Sequence, residues 1–196
     1  MSRFPHLGPP STMERASPEL AVVTPLPVRE GAALDLDGAY RRYARYVAAV
    51  ALRLLGRDAE VDDVVQEVFL TALRKLDGLR DPEAIRGWLA TVAVRVAGRK
   101  LRRRKLWAFL GRDADSDAAY ESIAATGATP EDRALLGRVY KVLDALPVAD
   151  RIAWTLRHVE GEQLDQVALL CGCSLATAKR RIAAAHAVID RMVGDE

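Results

Sequence analysis

The side chains of this 196-residue chain that could do chemistry are mainly cations. Between Arg99 and Lys105, Leu101 alone interrupts a run of six Lys and Arg residues. Like charges at neighbouring helix positions repel by about 0.2–0.5 kcal/mol per pair, and a bound polyanion would relieve that repulsion. Lys and Arg also gain affinity for phosphates by releasing counterions. The run therefore predicts a surface for nucleic acid, with a solvated helix end or a membrane-surface helix as the alternatives.

The helix predicted to carry this run buries an apolar stripe between residues 85 and 96 and points its cations away from it. Because a helix turns by about 100° per residue, Arg95, Arg99 and Arg102 fall in one row. Trp88 lies beside that row, where it would either fill the core or stack on an unpaired base. The predicted nucleic-acid contacts of this helix are Trp88, Arg95, Arg99, Lys100, Arg102 and Arg103.

The preceding helix presents acids around one leucine. Its predicted apolar stripe comprises Val61, Val64, Val65, Val68, Phe69, Ala72, Leu73 and Leu76. Leu70 lies about 180° from this stripe and is ringed by Asp63, Gln66 and Glu67. Such a face suits a protein partner that offers basic and apolar groups, and a solvated face with one stray leucine is the alternative.

The segment from 164 to 193 predicts a helix-turn-helix. A short helix, a turn at Gly172 and a longer helix capped by Ser174 follow one another. The long helix is expected to bury Leu175, Ala178, Ile182, Ala185, Ile189 and Met192. The side chains expected to meet base edges or phosphates of a duplex are Thr177, Lys179, Arg180 and Arg181. An ordinary helical hairpin with a solvated face is the alternative.

No set of residues predicts catalysis or metal binding. Cys171 and Cys173, the only cysteines, are too close in sequence to staple a fold, and their spacing is not that of a zinc site. His158 and His186 are the other candidate ligands nearby. The sequence has no glycine-rich phosphate loop and no convincing nucleophile with a base. We therefore expect a non-enzymatic protein with no metal or cofactor, kept in a reducing compartment.

Composition and periodicity place these residues on helices. Aromatic residues make up only 6% of the chain, and Ala, Leu, Val and Arg dominate, which favours helices over sheets. The spacing predicts helices over 40–55, 58 or 59 to 76, from 82 into the basic run, and over 131–146, 148–159, 163–170 and 175–192. No apolar run approaches 18 residues and no secretory signal is evident, so we expect a cytoplasmic protein that does not enter a membrane.

The expected fold class is all-α, with two small helical domains joined by an acidic flexible linker. Residues 1–33, which hold six of the nine prolines, would be a disordered tail. The domains would span 34–110 and 130–196, with the linker at 111–129. Nine bases and no acid lie between Ala84 and Arg112, whereas six acids and no base lie between Asp113 and Asp132. Such segregation indicates separate surfaces with separate partners.

Taken in order, three segments resemble the extracytoplasmic-function (ECF) group of bacterial sigma factors. DVVQEVFLTALRKL (63–76) is similar to that family's helix for binding core RNA polymerase. AIRGWLATVAVRVAGRKLRRR (84–104) is similar to its promoter-melting and −10 segment. ALPVADRIAWTLRHVEG followed by VALLCGCSLATAKRRI is similar to its −35-reading domain. The resemblance covers about residues 34–193 and implies a sigma domain 2-like and a helix-turn-helix sigma domain 4-like module.

The resemblance also assigns a partner to each surface. Asp63, Gln66, Glu67 and Leu70 would contact the clamp helices of the polymerase's largest subunit. The cationic helix would hold the opened −10 strand, with the loop 77–83 taking a flipped base. Thr177, Lys179, Arg180 and Arg181 would meet the −35 duplex. The implied function is promoter recognition, DNA opening and transcription initiation, with an anti-sigma factor as a further partner. The alternative is a stand-alone helix-turn-helix regulator with a helical sensing domain.

Several positions depart from the family's pattern. Arg95 and Arg99 stand where the family often has Asn and Asp or Asn, and Ala184 and His186 replace two arginines late in the recognition helix. The departures imply an atypical promoter with fewer −35 phosphate contacts.

Overall fold

The computed structural model of this chain describes residues 36–75, 82–111 and 129–194, and every regular element in these ranges is a helix. The all-α prediction is confirmed. The helices are α1 (Leu36–Leu55), α2 (Val61–Leu73), α3 (Pro82–Phe109), α4 (Pro130–Ala145), α5 (Val148–His158), α6 (Leu164–Cys171) and α7 (Leu175–Gly194). The predicted tail over 1–33, Leu76 of the predicted stripe together with the loop residues 77–81, and the linker residues 112–128 lie outside the described residues.

The first half of the fold, α1 to α3, is a bundle built on the predicted apolar stripes. Val64 and Val68 of α2 and Leu89 of α3 are fully buried. Burying such a side chain contributes about 1.5–3 kcal/mol, so these stripes determine how the helices face one another. Leu73 was expected in the stripe, but it is 58% exposed. It ends α2 at the margin of the stripe, beside a groove next to α1.

The second half, α4 to α7, contains the predicted helix-turn-helix. Gly172 ends α6 with a left-handed φ of 60°, and Cys173 N donates to Ala168 O at 3.0 Å. A residue with a side chain would be strained at that φ, which is why glycine stands there. Ser174 Oγ accepts from Thr177 N at 3.2 Å, so the predicted cap of α7 is present.

Two residues of the stripe predicted for α7 are exposed rather than buried. Leu175 is the first residue of the helix, and Met192 lies in its last turn. Residues at helix ends project beyond the neighbours that cover the middle, where Ala178, Ala185 and Ile189 are buried as predicted. The helical period gives the direction of a side chain, but it does not show how far the neighbouring helix extends.

The larger of two hydrophobic clusters spans both halves, and the smaller one lies within the second half. Ile152 and Leu156 of α5 and Leu170 of α6 belong to the same buried cluster as the apolar residues of α1 to α3. A Cβ at Gly98 would lie only 3.2 Å from Ile152 Cδ1, so the missing side chain at Gly98 lets α3 and α5 come close. The described helices therefore form one compact unit.

Side chains from the second half also cap the end of α1. The last carbonyls of a helix have no partner within the helix and need donors from elsewhere. Tyr140 Oη donates to Arg53 O at 2.7 Å. Arg151 Nε donates to Leu54 O at 3.2 Å, and Arg151 Nη2 donates to Leu55 O at 2.9 Å. Arg151 is 1% exposed, so its guanidinium is a buried cap that joins the two halves.

Two further polar contacts cross between the halves. Arg53 forms a two-point ion pair with Glu160, in which Nη2 lies 2.8 Å from Oε2. Lys105 Nζ donates to Ala145 O at 3.1 Å, near the end of α4. Paired guanidinium–carboxylate geometry adds direction to the apolar contact, so these bonds fix the orientation of one half on the other.

Candidate nucleic-acid interface

The cations predicted on α3 lie on its outer surface. Arg95, Arg99, Arg102 and Arg103 are exposed, whereas Lys100 is half-buried. The apolar stripe of the same helix packs into the core, which forces these positions outward. Trp88 is half-buried and packs against the core, so only part of its ring is open to a base.

The cations of α3 meet the acids of α2. Arg99 forms an ion pair with Glu67, and Lys100 Nζ lies 2.8 Å from Asp63 Oδ2. The hydrogen bond and the positive charge of Lys100 lower the pKa of the Asp63 carboxyl. The surface predicted for a protein partner and the surface predicted for nucleic acid are therefore adjacent. A partner that binds the carboxylate of Asp63 or Glu67 would also break its ion pair with a cation of α3.

The face of α2 predicted to bind a protein is exposed. Leu70 is 48% exposed, and Asp63 and Gln66 lie open beside it. Glu67 is half-buried by its contact with Arg99.

Apolar residues that the sequence analysis did not assign to this face extend it. A groove of about 770 Å³ between α1 and α2 is lined by Gln66 and Leu70 together with Tyr40, Phe69 and Leu73. Tyr40 packs edge-on against Phe69 with ring centroids 4.9 Å apart. The spacing of Gln66, Leu70 and Leu73 is i, i+4, i+7, which places all three on one side of α2. That spacing was the signal available in the sequence.

The residues predicted to read a duplex do not all share one surface. Lys179 and Arg180 are exposed on α7. Thr177 is half-buried, and its backbone and hydroxyl both contact the cap residue Ser174. Arg181 is half-buried and faces α3. It therefore does not lie on the surface where Lys179 and Arg180 are exposed.

Arg181 and the row on α3 line one cleft between the two halves. The cleft has a volume of about 420 Å³. Its charged walls are Arg95, Arg99 and Arg102 on α3 and Arg181 on α7. Its apolar floor consists of Val94, Gly98, Ala149, Ile152, Leu170 and Cys171. We call this feature the arginine cleft. The sequence predicted both sets of arginines but not that they converge.

The surroundings of the cysteines and histidines indicate structural roles for these residues. Burial and the neighbouring Cys173 raise the pKa of the Cys171 thiol to about 11, which keeps it protonated. His158 stacks on His186 with ring centroids 5.3 Å apart, and burial together with the charge of His186 lowers the pKa of His158. Within the described residues, no three His, Cys, Asp or Glu side chains form a group suited to a metal ion. None of the described helices has the length and apolar character needed to span a membrane.

Comparison with known protein families finds two matches along the chain. Residues 39–106 match Sigma-70 region 2, and residues 136–186 match Sigma-70 region 4. The ECF RNA polymerase sigma-E factor of Escherichia coli K12 is 30% identical over 159 residues, which span 78% of this chain and 83% of that protein. The sigma-E factor of Haemophilus influenzae is 29% identical over 160 residues, which span 78% and 84%.

Two solved structures share the fold. The sigma factor RpoE from Bartonella quintana, in complex with the anti-sigma factor NepR, superposes with a TM-score of 0.62 at 21% identity, covering 83% of this chain and 99% of that one. CnrH, in complex with the cytosolic domain of CnrY, superposes with a TM-score of 0.53 at 23% identity, covering 82% and 89%.

Proposed function

The chain belongs to the extracytoplasmic-function group of bacterial RNA polymerase sigma factors, and from this premise we propose how its surfaces divide the work of transcription initiation. As a member of that group it binds core RNA polymerase, recognises promoter DNA and directs initiation, and it is not an enzyme. A stand-alone helix-turn-helix regulator is not favoured, because the family match covers both halves of the chain. The observation that carries the division is that each matched region presents an exposed group of cations on one helix. Arg95, Arg99, Arg102 and Arg103 are exposed on α3, and Lys179 and Arg180 are exposed on α7.

The face of α2 is the proposed contact with core polymerase. Asp63, Gln66, Glu67 and Leu70 would meet the clamp helices of the largest subunit. The exposed Leu70 and the adjoining groove support this role, since an apolar centre with a polar rim is typical of protein interfaces. We add Tyr40 and Leu73 to this surface, because they line the same groove.

The outer surface of α3 is the proposed contact with unpaired −10 DNA. Arg95, Arg99 and Arg102 would grip the strand, with Lys100, Arg103 and the open edge of Trp88 beside them. Arg99 and Lys100 would exchange Glu67 and Asp63 for phosphates. The Arg99–Glu67 pair is exposed, and exposed ion pairs contribute only about 0–1 kcal/mol. Releasing Arg99 therefore costs little against the counterion release that phosphate contacts provide.

The proposed −35 contacts are Thr177, Lys179, Arg180 and Arg181 at the start of α7. These contacts and the α3 contacts cannot all form while the halves are packed together. The cleft between Arg181 and the α3 row has a volume of about 420 Å³, which is the size of a small-molecule site and too small to admit a DNA duplex. We therefore propose that the halves, corresponding to the modules 34–110 and 130–196, separate on the polymerase around the connecting residues 111–129.

The remaining partners and the place of action follow from the same premise. Core polymerase and the chromosome of a bacterium lie in the cytoplasm, so we place this chain there. Both solved neighbours are complexes with a second protein: CnrH is bound to the cytosolic domain of CnrY, and the sigma factor RpoE is bound to the anti-sigma factor NepR. We propose a partner of that class for this chain as well.

Run-off transcription with core polymerase and a promoter library tests the division of labour. Arg99→Glu should abolish promoter opening and leave polymerase binding intact, whereas Glu67→Lys should impair polymerase binding. Because Arg99 and Glu67 pair, each reversal also places like charges together, so the double reversal serves as the stability control. Arg191→Glu, an exposed change on α7 outside the proposed sites, should do neither. Loss of polymerase binding in Arg99→Glu but not in the double reversal would contradict the assignment.

A further inference from the structure

The arginine cleft has properties that DNA contact does not explain. Its lining carries four guanidinium groups and no carboxylate, and it lies between the two halves that we propose separate on the polymerase. Arg181 joins the three arginines of α3 only while α3 and α7 face each other. A site that is formed in the packed state and lost in the open state suits a ligand of that packed state.

The shape and chemistry of the cleft define the class of ligand. A volume of about 420 Å³ falls within the roughly 300–1,000 Å³ of small-molecule sites. Guanidinium groups bind phosphate oxygens through two parallel hydrogen bonds, and four of them match an anion with several phosphates. The floor of Val94, Ile152 and Leu170 is apolar and suits a base or sugar.

The helices that form the cleft are held together by contacts at its floor and outside it. Gly98 and Ile152 bring α3 and α5 together, and Arg151 and Tyr140 cap α1 from the second half. Arg99 is held by Glu67 from outside the cleft, which orients it while leaving other donors of its five N–H groups open. The helices that carry the four arginines are therefore held in place before any ligand binds.

We propose that the arginine cleft binds one small polyphosphate anion, which bridges Arg181 to Arg95, Arg99 and Arg102 and holds the two halves together. The ligand belongs to the class of inorganic polyphosphates or nucleoside polyphosphates. Because it occupies the α3 row, it would exclude promoter DNA. This last consequence rests on the proposed function, whereas the binding itself does not.

Isothermal titration of the full chain with inorganic tripolyphosphate tests the site directly. We use about 0.15 M salt, which limits the reach of diffuse attraction to about 8 Å. One saturable site is expected. Arg181→Gln and Arg95→Gln should each weaken binding at least about 10-fold, since each removes charge-assisted hydrogen bonds. The matched controls Arg191→Gln on α7 and Arg86→Gln on α3 remove the same charge outside the cleft and should change affinity less than about 2-fold.

A second measurement ties the site to the packed state. Tripolyphosphate should raise the thermal unfolding midpoint of the unaltered chain with increasing concentration, and that of Arg181→Gln much less. If Arg181→Gln fails to fold, Arg181→Lys keeps the charge and should bind with intermediate affinity. Titration with adenosine triphosphate without magnesium separates the two types of ligand. Tighter binding than that of tripolyphosphate would show that the apolar floor contacts the base. Equal binding would show that the site recognises phosphates alone.

Three results would overturn the proposal. They are binding that does not saturate, a loss of affinity in Arg191→Gln or Arg86→Gln as large as in Arg181→Gln, and unchanged binding when Arg181 and Arg95 are both replaced. Any of these would leave the proposed transcription roles intact, so the two sets of conclusions fail separately.

Discussion

Replacing the buried Arg151 by Met gives the sharpest test of how the two halves are held. The change keeps much of the side-chain volume but removes the guanidinium that joins α5 to the end of α1. Leu54 O loses the Nε donor at 3.2 Å, while Leu55 O keeps a bond from Arg104 Nη1, also at 3.2 Å. Asp144 loses the charged partner with which it forms an ion pair.

The expected loss follows from these three contacts. A buried acceptor left without a donor costs about 1–3 kcal/mol, and a hydrogen bond to a charged group contributes about 1.5–3 kcal/mol. Together they predict a loss of about 2–4 kcal/mol in the free energy of unfolding. This is less than for a fully buried ion pair, because the Asp144 side chain is 32% exposed and water can solvate it. Burial lowers the pKa of Arg151, but an arginine stays protonated near neutral pH, so the variant removes a charge as well as donors.

Urea unfolding followed by far-UV circular dichroism and by tryptophan fluorescence measures this loss. Trp88 lies in the first half and Trp154 in the second, so fluorescence reports on both. The control Arg191→Met removes an exposed arginine of α7 and should change the free energy of unfolding by at most about 0.5 kcal/mol. A loss below about 1 kcal/mol for Arg151→Met, or one equal to the control, would refute the role assigned to the buried cap.

Three further predictions concern the same interface and the cleft. Gly56→Ala should destabilise the fold by about 1–3 kcal/mol, because φ at Gly56 is 73° and a Cβ there would lie 2.6 Å from Tyr140 Cδ1. Urea unfolding measures this loss, and an unchanged midpoint would contradict the prediction. Burial raises the pKa of Tyr140 from 10.0 to about 12, so the folded state disfavours its anion and the free energy of unfolding should fall between about pH 10 and 12. Tyr140→Phe should lack that fall and lose about 1 kcal/mol at neutral pH with the bond to Arg53 O; an equal fall in both proteins would show that other groups cause it. Because the pKa of Cys171 is about 11 instead of 9.0, its thiol should react with iodoacetamide at pH 8 about 100-fold more slowly than a cysteine peptide does. Mass spectrometry measures both rates, and equal rates would argue against the burial of Cys171.

Some features of the fold were within reach of the sequence because they depend on neighbours along the chain. A helix fixes the direction of each side chain by its own period, so the buried stripes of α2 and α3 and the outward row from Arg95 to Arg102 could be predicted. Ser174 and Gly172 define the turn between α6 and α7 by local bonding. The sites assigned to polymerase and DNA on these faces stay predictions.

The errors lie where a residue's surroundings depend on distant parts of the chain. Leu73, Leu175 and Met192 have the right direction for burial, but the neighbouring helices do not cover them. Nothing in the sequence around Arg151 indicates its burial, because its partners Leu54 and Leu55 stand 97 and 96 residues away in sequence.

The sequence by itself determined the helices, their apolar and charged faces and the family. Only the tertiary structure decided that the halves share a core, that Asp63 and Glu67 pair with α3, and that Arg181 joins the α3 row in one cleft. The physical reason is that the hydrophobic effect has no direction. The sequence pattern shows which face of a helix is buried, but it does not show which other helix buries it. That choice depends on close approaches such as Gly98 against Ile152 and on donors such as Arg151 that meet acceptors far away in the chain.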